Sequence, residues 1–132
     1  MVIETPPSRN LLIADDSPSF RELLRELLEP LIVEVHEVES GEAAVEYSRE
    51  FRIDIVLLDM HMHVMTGLEA MRELKQLNAA RPCILITSED TDDLRRDAIA
   101  ADAYSVLGKP VRRQELCTTV RGALADAYCD PI

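Results

Sequence analysis

Five short apolar runs alternate along this 132-residue chain with five segments of helical periodicity: Leu11 to Ala14, Ile32 to Val38, Asp54 to Asp59, Cys83 to Thr87 and Ser105 to Gly108. Strands separated by helices are joined through crossovers, which makes them parallel and covers their sheet on both faces. The third run, with Ile55-Val56-Leu57-Leu58, is almost continuously apolar and suits the centre of such a sheet. The second sets Val33, Val35 and Val38 against Glu34 and Glu37 and suits an edge. An edge second strand and a central third strand fit the order 2-1-3-4-5, with its switch point between strands one and three. The expected fold class is therefore α/β, a three-layer (βα)₅ sandwich around a parallel five-stranded sheet.

The helices announce their starts. Ser17-Pro18 supplies an N-cap and a proline at the first helical position, and Phe20, Leu23, Leu24, Leu27 and Leu28 form a stripe that ends before Pro30. Ser40-Gly41 opens a second helix, with Ala43, Ala44, Tyr47 and Phe51 near its buried side. Thr66-Gly67-Leu68-Glu69 has the capping-box pattern, so a third helix should run from about Gly67 to Asn78. Thr91 to Ala101 reads as a short polar helix and Arg113 to Ala127 as the last. Residues 1 to 9, with Pro6-Pro7 and no periodicity, read as a flexible lead-in to a domain over 10 to 127, followed by a tail over 128 to 132.

Charge and composition narrow the function. A net charge of −11, from 14 basic against 25 acidic residues, repels nucleic acid and anionic membranes, so neither is an expected partner. No apolar stretch approaches the roughly 20 residues of a membrane span, and the N-terminus lacks the pattern of a signal peptide, which points to the cytoplasm. Cys83, Cys117 and Cys129 are odd in number and show no CxxC spacing, which argues for small core hydrophobes rather than disulfides or zinc. Met60, Met62 and Met65 read as gap fillers, and His61 and His63 as polar loop residues rather than side-chain metal ligands.

Four of the strands end in groups suited to metal or phosphate. Asp15-Asp16 follow the first, Asp59 ends the third, Thr87-Ser88 end the fourth and Lys109-Pro110 follow the fifth. In an open parallel sheet, ligands bind outside the carboxyl ends of the strands at the switch point, where Asp15, Asp16 and Asp59 would lie side by side. Carboxylates about 5 Å apart repel by roughly 3 kcal/mol per pair at an effective dielectric near 20. Such a cluster calls for a cation, and hard oxygen ligands suit Mg²⁺. Lys109 adds a positive charge and Thr87 a hydroxyl. Together these are the parts needed to accept a phosphoryl group onto aspartate.

On these residues the chain resembles the receiver domain of two-component response regulators, over essentially residues 10 to 127. The resemblance implies the flavodoxin-like fold, with Asp59 as phosphoacceptor and a histidine kinase or histidine phosphotransfer protein as donor. It implies that Mg²⁺, or Mn²⁺ in its place, is held by Asp16 directly, by Asp15 through water, by Asp59 and by the backbone carbonyl of His61. Thr87 and Lys109 would hold the phosphoryl oxygens, and Lys109-Pro110 would be joined by a cis peptide bond. The chain would switch a signalling face made by helix four, strand five and helix five, acting as a signal carrier and not as a turnover enzyme. Its output partner is not written in the sequence.

The stretch from Asp59 to Gly67 keeps the family's spacing, but three positions depart from its pattern. His63 stands where proline is usual and Ser88 where alanine is common. Val106 replaces the aromatic residue whose inward rotation accompanies activation, which leaves Tyr104, one same-face step earlier, as the other candidate for the switch. Two alternative readings are a receiver-fold docking module that is not phosphorylated and an aspartyl-phosphate phosphatase resembling the haloacid-dehalogenase family. The phosphatase would need a second aspartate where His61 stands and a nucleophile on the first strand.

Overall fold

A computed structural model describes residues 8 to 131. In chain order the elements are β1 (Arg9–Ala14), α1 (Pro18–Leu27), β2 (Val33–Val38), α2 (Gly41–Glu50), β3 (Ile55–Asp59), α3 (Gly67–Leu77), β4 (Cys83–Thr87), α4 (Asp92–Ala100), β5 (Ser105–Gly108) and α5 (Arg113–Tyr128). The strands form one sheet in the order β2-β1-β3-β4-β5, and every neighbouring pair is parallel. This is the expected flavodoxin-like arrangement.

Strand alternation splits the core in two. Leu12, Val56, Leu58, Cys83, Leu85 and Val106 face α2, α3 and α4, where Ala44, Val45, Met71, Leu74 and Ala98 meet them. Leu11, Ile13, Ile55, Leu57, Ile84 and Leu107 face α1 and α5, against Leu24, Leu28, Leu116 and Val120. Full burial of each large aliphatic side chain contributes roughly 1.5 to 3 kcal/mol, so the central strands anchor both layers. Met62 lies in the first core, with Met60 and Met65 packed against it.

Caps start the helices as their sequences indicate. Ser17 Oγ accepts from Phe20 N at 3.3 Å, and Thr66 and Glu69 form a reciprocal capping box before α3. Between β3 and α3 the chain turns sharply: Met65 N donates to His63 O at 2.7 Å around Val64, whose φ is 68°. A β-branched residue in the left-handed region is strained, by something on the order of 1–3 kcal/mol. Val64 is 90% exposed, so packing does not compensate it.

Several expectations need correction. Phe51 is 51% exposed, because α2 ends at Glu50 and Phe51 adopts extended backbone; Val45 takes the buried place instead. Leu23 is exposed at the margin of the α1 stripe, and Ile32 is exposed ahead of β2. Cys83 and Cys117 are buried, but Cys129 is exposed in the left-handed turn that caps α5.

The domain also reaches past 10 to 127. Arg9 is the first residue of β1 and grips Asp130 with two hydrogen bonds of 2.8 and 2.7 Å. Its guanidinium lies 4.5 Å from the Tyr128 ring centroid, and the Tyr128 hydroxyl donates to Asp54 O at 2.7 Å. Of the expected flexible lead-in, residues 1 to 7 lie outside the described residues.

Candidate functional site

The register of the sheet assembles the site. Ala14 pairs with Leu58, so Asp15 emerges beside Asp59; Asp59 pairs with Ile86, so Thr87 emerges one step beyond; Thr87 pairs with Gly108, and Lys109 follows. Lys109 N donates to Thr87 O at 2.8 Å, and the Lys109–Pro110 peptide bond is cis. One carboxylate oxygen from each of Asp15, Asp16 and Asp59 lies within 4.8 Å of the others. Asp15 and Asp59 are buried, whereas Asp16 is exposed at the mouth.

The electrostatics are unbalanced. Lys109 Nζ is 3.1 Å from Asp59 Oδ1 and 3.9 Å from Asp15 Oδ2. Neither oxygen has a hydrogen bond: the ammonium is too far from Asp15 Oδ2 and meets Asp59 Oδ1 as an ion pair. Burial pushes the Asp15 carboxyl up; the Ser17 N–H, 2.8 Å from Oδ1, opposes this, and the Asp59 charge adds to the rise. Two buried oxygens without donors, beside a third carboxylate open to solvent, form a set of hard, anionic ligands. That donor set fits a small divalent cation, which would satisfy both oxygens and relieve the repulsion.

The neighbours of the cluster are well held. Met60 N donates to Ile86 O at 2.8 Å and Gly67 N to Met60 O at 3.0 Å. A Cβ at Gly67 would lie 2.4 Å from Asp59 O, so only glycine lets α3 approach the end of β3 this closely. Thr87 is fully buried, and its Oγ1 accepts from Glu89 N at 3.0 Å. The His61 and His63 side chains point out to solvent.

The two candidate switch residues lie apart. Val106 is buried in the core beside Leu85 and Ala98, and its carbonyl accepts from Arg95 Nη2 at 3.4 Å. Arg95 also grips Asp90 through two bonds of 2.7 and 2.6 Å. Tyr104 pairs with the start of β4, its N donating to Cys83 O at 2.8 Å, while Thr87 stands at the other end of that strand. Its hydroxyl donates to Asp126 Oδ2 on α5 at 3.0 Å. Burial, with the Asp126 bond, pushes the Tyr104 pKa up. The structure does not bring Tyr104 to Thr87.

One contact was not foreseen. Phe20, which the periodicity assigns to the α1 stripe, also places its ring centroid 4.1 Å from Lys109 Nζ. An aromatic residue one turn into a helix that starts beside an acidic pair was the available signal, but the stripe alone accounted for it.

Comparison with known proteins identifies the family and the fold. Residues 11–121 match the family model described as the response regulator receiver domain. The chemotaxis protein CheY of Halobacterium salinarum is 32% identical over 117 residues, covering 89% of this chain and 98% of that protein. The cyclic di-GMP phosphodiesterase response regulator RpfG of Xanthomonas campestris is 36% identical, over 81% of this chain but only 29% of that longer protein. Among solved structures, the Vibrio cholerae chemotaxis protein CheY4 superposes with a TM-score of 0.84 at 26% identity, covering 89% of this chain and 100% of that one. The chain belongs to the response regulator receiver domain family of two-component signalling.

Proposed function

We propose that this receiver domain accepts a phosphoryl group on Asp59 from a phosphohistidine of a histidine kinase or histidine phosphotransfer protein, in a Mg²⁺-dependent reaction. The observation that carries this reading is Asp59 Oδ1: a buried carboxylate oxygen at the end of the central strand, without a hydrogen bond and 3.1 Å from an ammonium. Asp15 is less suited as nucleophile, since its Oδ1 already holds the Ser17 N–H. Asp16 lies in solvent.

An Asp59 oxygen attacks phosphorus, an O–P bond forms, the N–P bond to the donor imidazole breaks, and the imidazole leaves neutral with a proton taken from solvent. Lys109 is placed to offset the charge gathering on the phosphoryl oxygens. Thr87 is placed to donate its hydroxyl proton to one of them, since accepting from Glu89 N leaves that proton free. Asp15, Asp16, Asp59 and the His61 carbonyl would hold Mg²⁺, or Mn²⁺ in its place, which supplies charge neutralisation when bound.

The modified aspartate then draws Thr87 and Lys109 and biases the face of α4, β5 and α5. Valine at 106 has one stiff torsion and too little reach for an inward swing. Coupling therefore runs through the β4–α4 loop, where Asp90 and Arg95 join it to the Val106 carbonyl. The domain carries a signal and does not turn over a substrate. Incubation with acetyl phosphate and Mg²⁺, read by intact mass, should add one phosphoryl group, and D59N should add none. Uptake that survives D59N overturns the assignment.

A further inference from the structure

We propose that Phe20 is a positioning residue for Lys109: its ring face attracts the ammonium and holds it over the Asp59 and Asp15 carboxylates. The inference rests on the reading of Asp59 as phosphoacceptor and adds a residue to that site.

The chain's two lysines show the difference. Lys75 Nζ is bound to two carbonyl oxygens, Ala79 O at 3.2 Å and Arg81 O at 2.9 Å, with Asp102 Oδ2 at 3.6 Å. Its donors are committed, and it serves the turn after α3. Lys109 Nζ among the described residues meets Asp59, Asp15 and the Phe20 ring and no carbonyl. A phenyl face attracts a cation electrostatically but accepts no conventional hydrogen bond. It therefore fixes the position of the charge while leaving the N–H groups of the ammonium for oxygens in the site. A carbonyl in its place would take one of them, and open water would screen the charge.

Phe20 is itself held by the turn that carries the acidic pair. Ser17 N donates to Asp15 Oδ1 at 2.8 Å, Ser17 Oγ caps Phe20 N at 3.3 Å, and the Phe20 ring packs on the core between the sheet and α1 and α5. The loop closes on itself: Asp15 orients Ser17, Ser17 fixes Phe20, and Phe20 fixes the lysine that faces Asp15 and Asp59. A ring that merely covered the lysine stem would depend on shape alone. A ring acting through its face depends on electron density as well.

Fluorination separates the two. Phenylalanine at position 20 alone is replaced by its 4-fluoro and 3,4,5-trifluoro analogues, which keep nearly the same shape and progressively weaken the negative face. The expected result is a stepwise fall in the rate of phosphoryl uptake from acetyl phosphate at saturating Mg²⁺, reaching roughly 2- to 5-fold, the range for an ammonium over a phenyl ring at a partly exposed site. The rise in melting temperature with Mg²⁺ should stay constant across the series, because Phe20 offers the cation no ligand. A rate that stays flat across the series overturns the inference. If the unsubstituted protein takes up no phosphoryl group at all, the reading of Asp59 fails instead. The contact is then judged by the ¹⁹F resonance of 4-fluoro-Phe20, which should move on K109M; a resonance that stays put sinks it.

Discussion

Asp54 and Asp59 stand at opposite ends of the same strand and are buried alike, 3% and 5% exposed, yet their surroundings are opposite. Asp54 accepts from Asn10 N at 2.8 Å and Arg52 Nε at 3.2 Å, and Arg9 lies 3.8 Å away. Its two oxygens are both satisfied, and it ties β1 to the entry of β3. Asp59 has an ammonium nearby, an oxygen without a hydrogen bond and two further carboxylates beside it. A buried carboxylate with its donors in place is architecture. One left short of donors is destabilised, and that deficit is what a cation and a phosphoryl group can meet.

The sharpest way to break this contrast is to exchange carboxylate for amide at each end. D59N should abolish phosphoryl uptake, and D54N should retain it, both read by intact mass after acetyl phosphate and Mg²⁺. Stability should show the reverse order. D54A leaves the Asn10 N–H without its acceptor and Arg52 without its carboxylate, while Arg9 keeps Asp130, and should cost about 2 to 4 kcal/mol in urea unfolding. D59A relieves repulsion while it strands Lys109, so its cost should stay within about 1 kcal/mol. Equal costs at the two ends would erase the distinction.

Mg²⁺ sharpens the contrast further. At about 100 times its dissociation constant, a ligand specific for the native state adds about 2.7 kcal/mol, so melting should rise with Mg²⁺ in the wild type and in D54N but not in D16A.

The smallest expected effect is in pH. The folded Asp15 carboxyl is raised above its ordinary value of 3.8, so it favours folding when protonated, and that contribution fades as pH rises through the folded pKa. Asp90 and Asp130 are lowered by their bonds to Arg95 and Arg9 and act in the opposite sense, losing their contribution as pH falls. In metal-free buffer, the stability of D15N relative to wild type should therefore be most favourable near neutrality. It should shrink on acidification from about pH 7 to 3 in urea midpoints. A constant difference would mean that burial at Asp15 is offset in full.

The sequence carried the strand order and the location of the site because both depend on period and on strand ends. Asp15, Asp16, Asp59, Thr87 and Lys109 each follow or close an apolar run, and the register then leaves them little freedom. Long-range pairs were less legible. The bond between Arg9 and Asp130 spans 121 positions, and nothing local marks either residue. Phe51 continues the period of α2, but the helix stops one residue earlier and turns the ring outward. Period two alone sets Tyr104 on the strand face of Val106, but β5 starts at Ser105 and the Tyr104 hydroxyl is engaged by Asp126 of α5. Phe20 satisfied one pattern so well that its second contact stayed hidden.

The close approach at Gly67 has a mechanical consequence. With α3 pressed against the Asp59 carbonyl and bonded to Met60 O, the wall of the site on that side is stiff, since any inward shift meets backbone rather than flexible side chains. On the other side, the β4–α4 segment is moored by the Thr87 hydroxyl and by the Asp90–Arg95 grip, ties that can rotate and re-form. Under the proposed phosphorylation, a push at Asp59 would act like a wedge between an anvil and a spring. Displacement would then go toward α4 and β5, the side held by side-chain ties rather than backbone contact, and a residue with no side chain would set the direction of the signal.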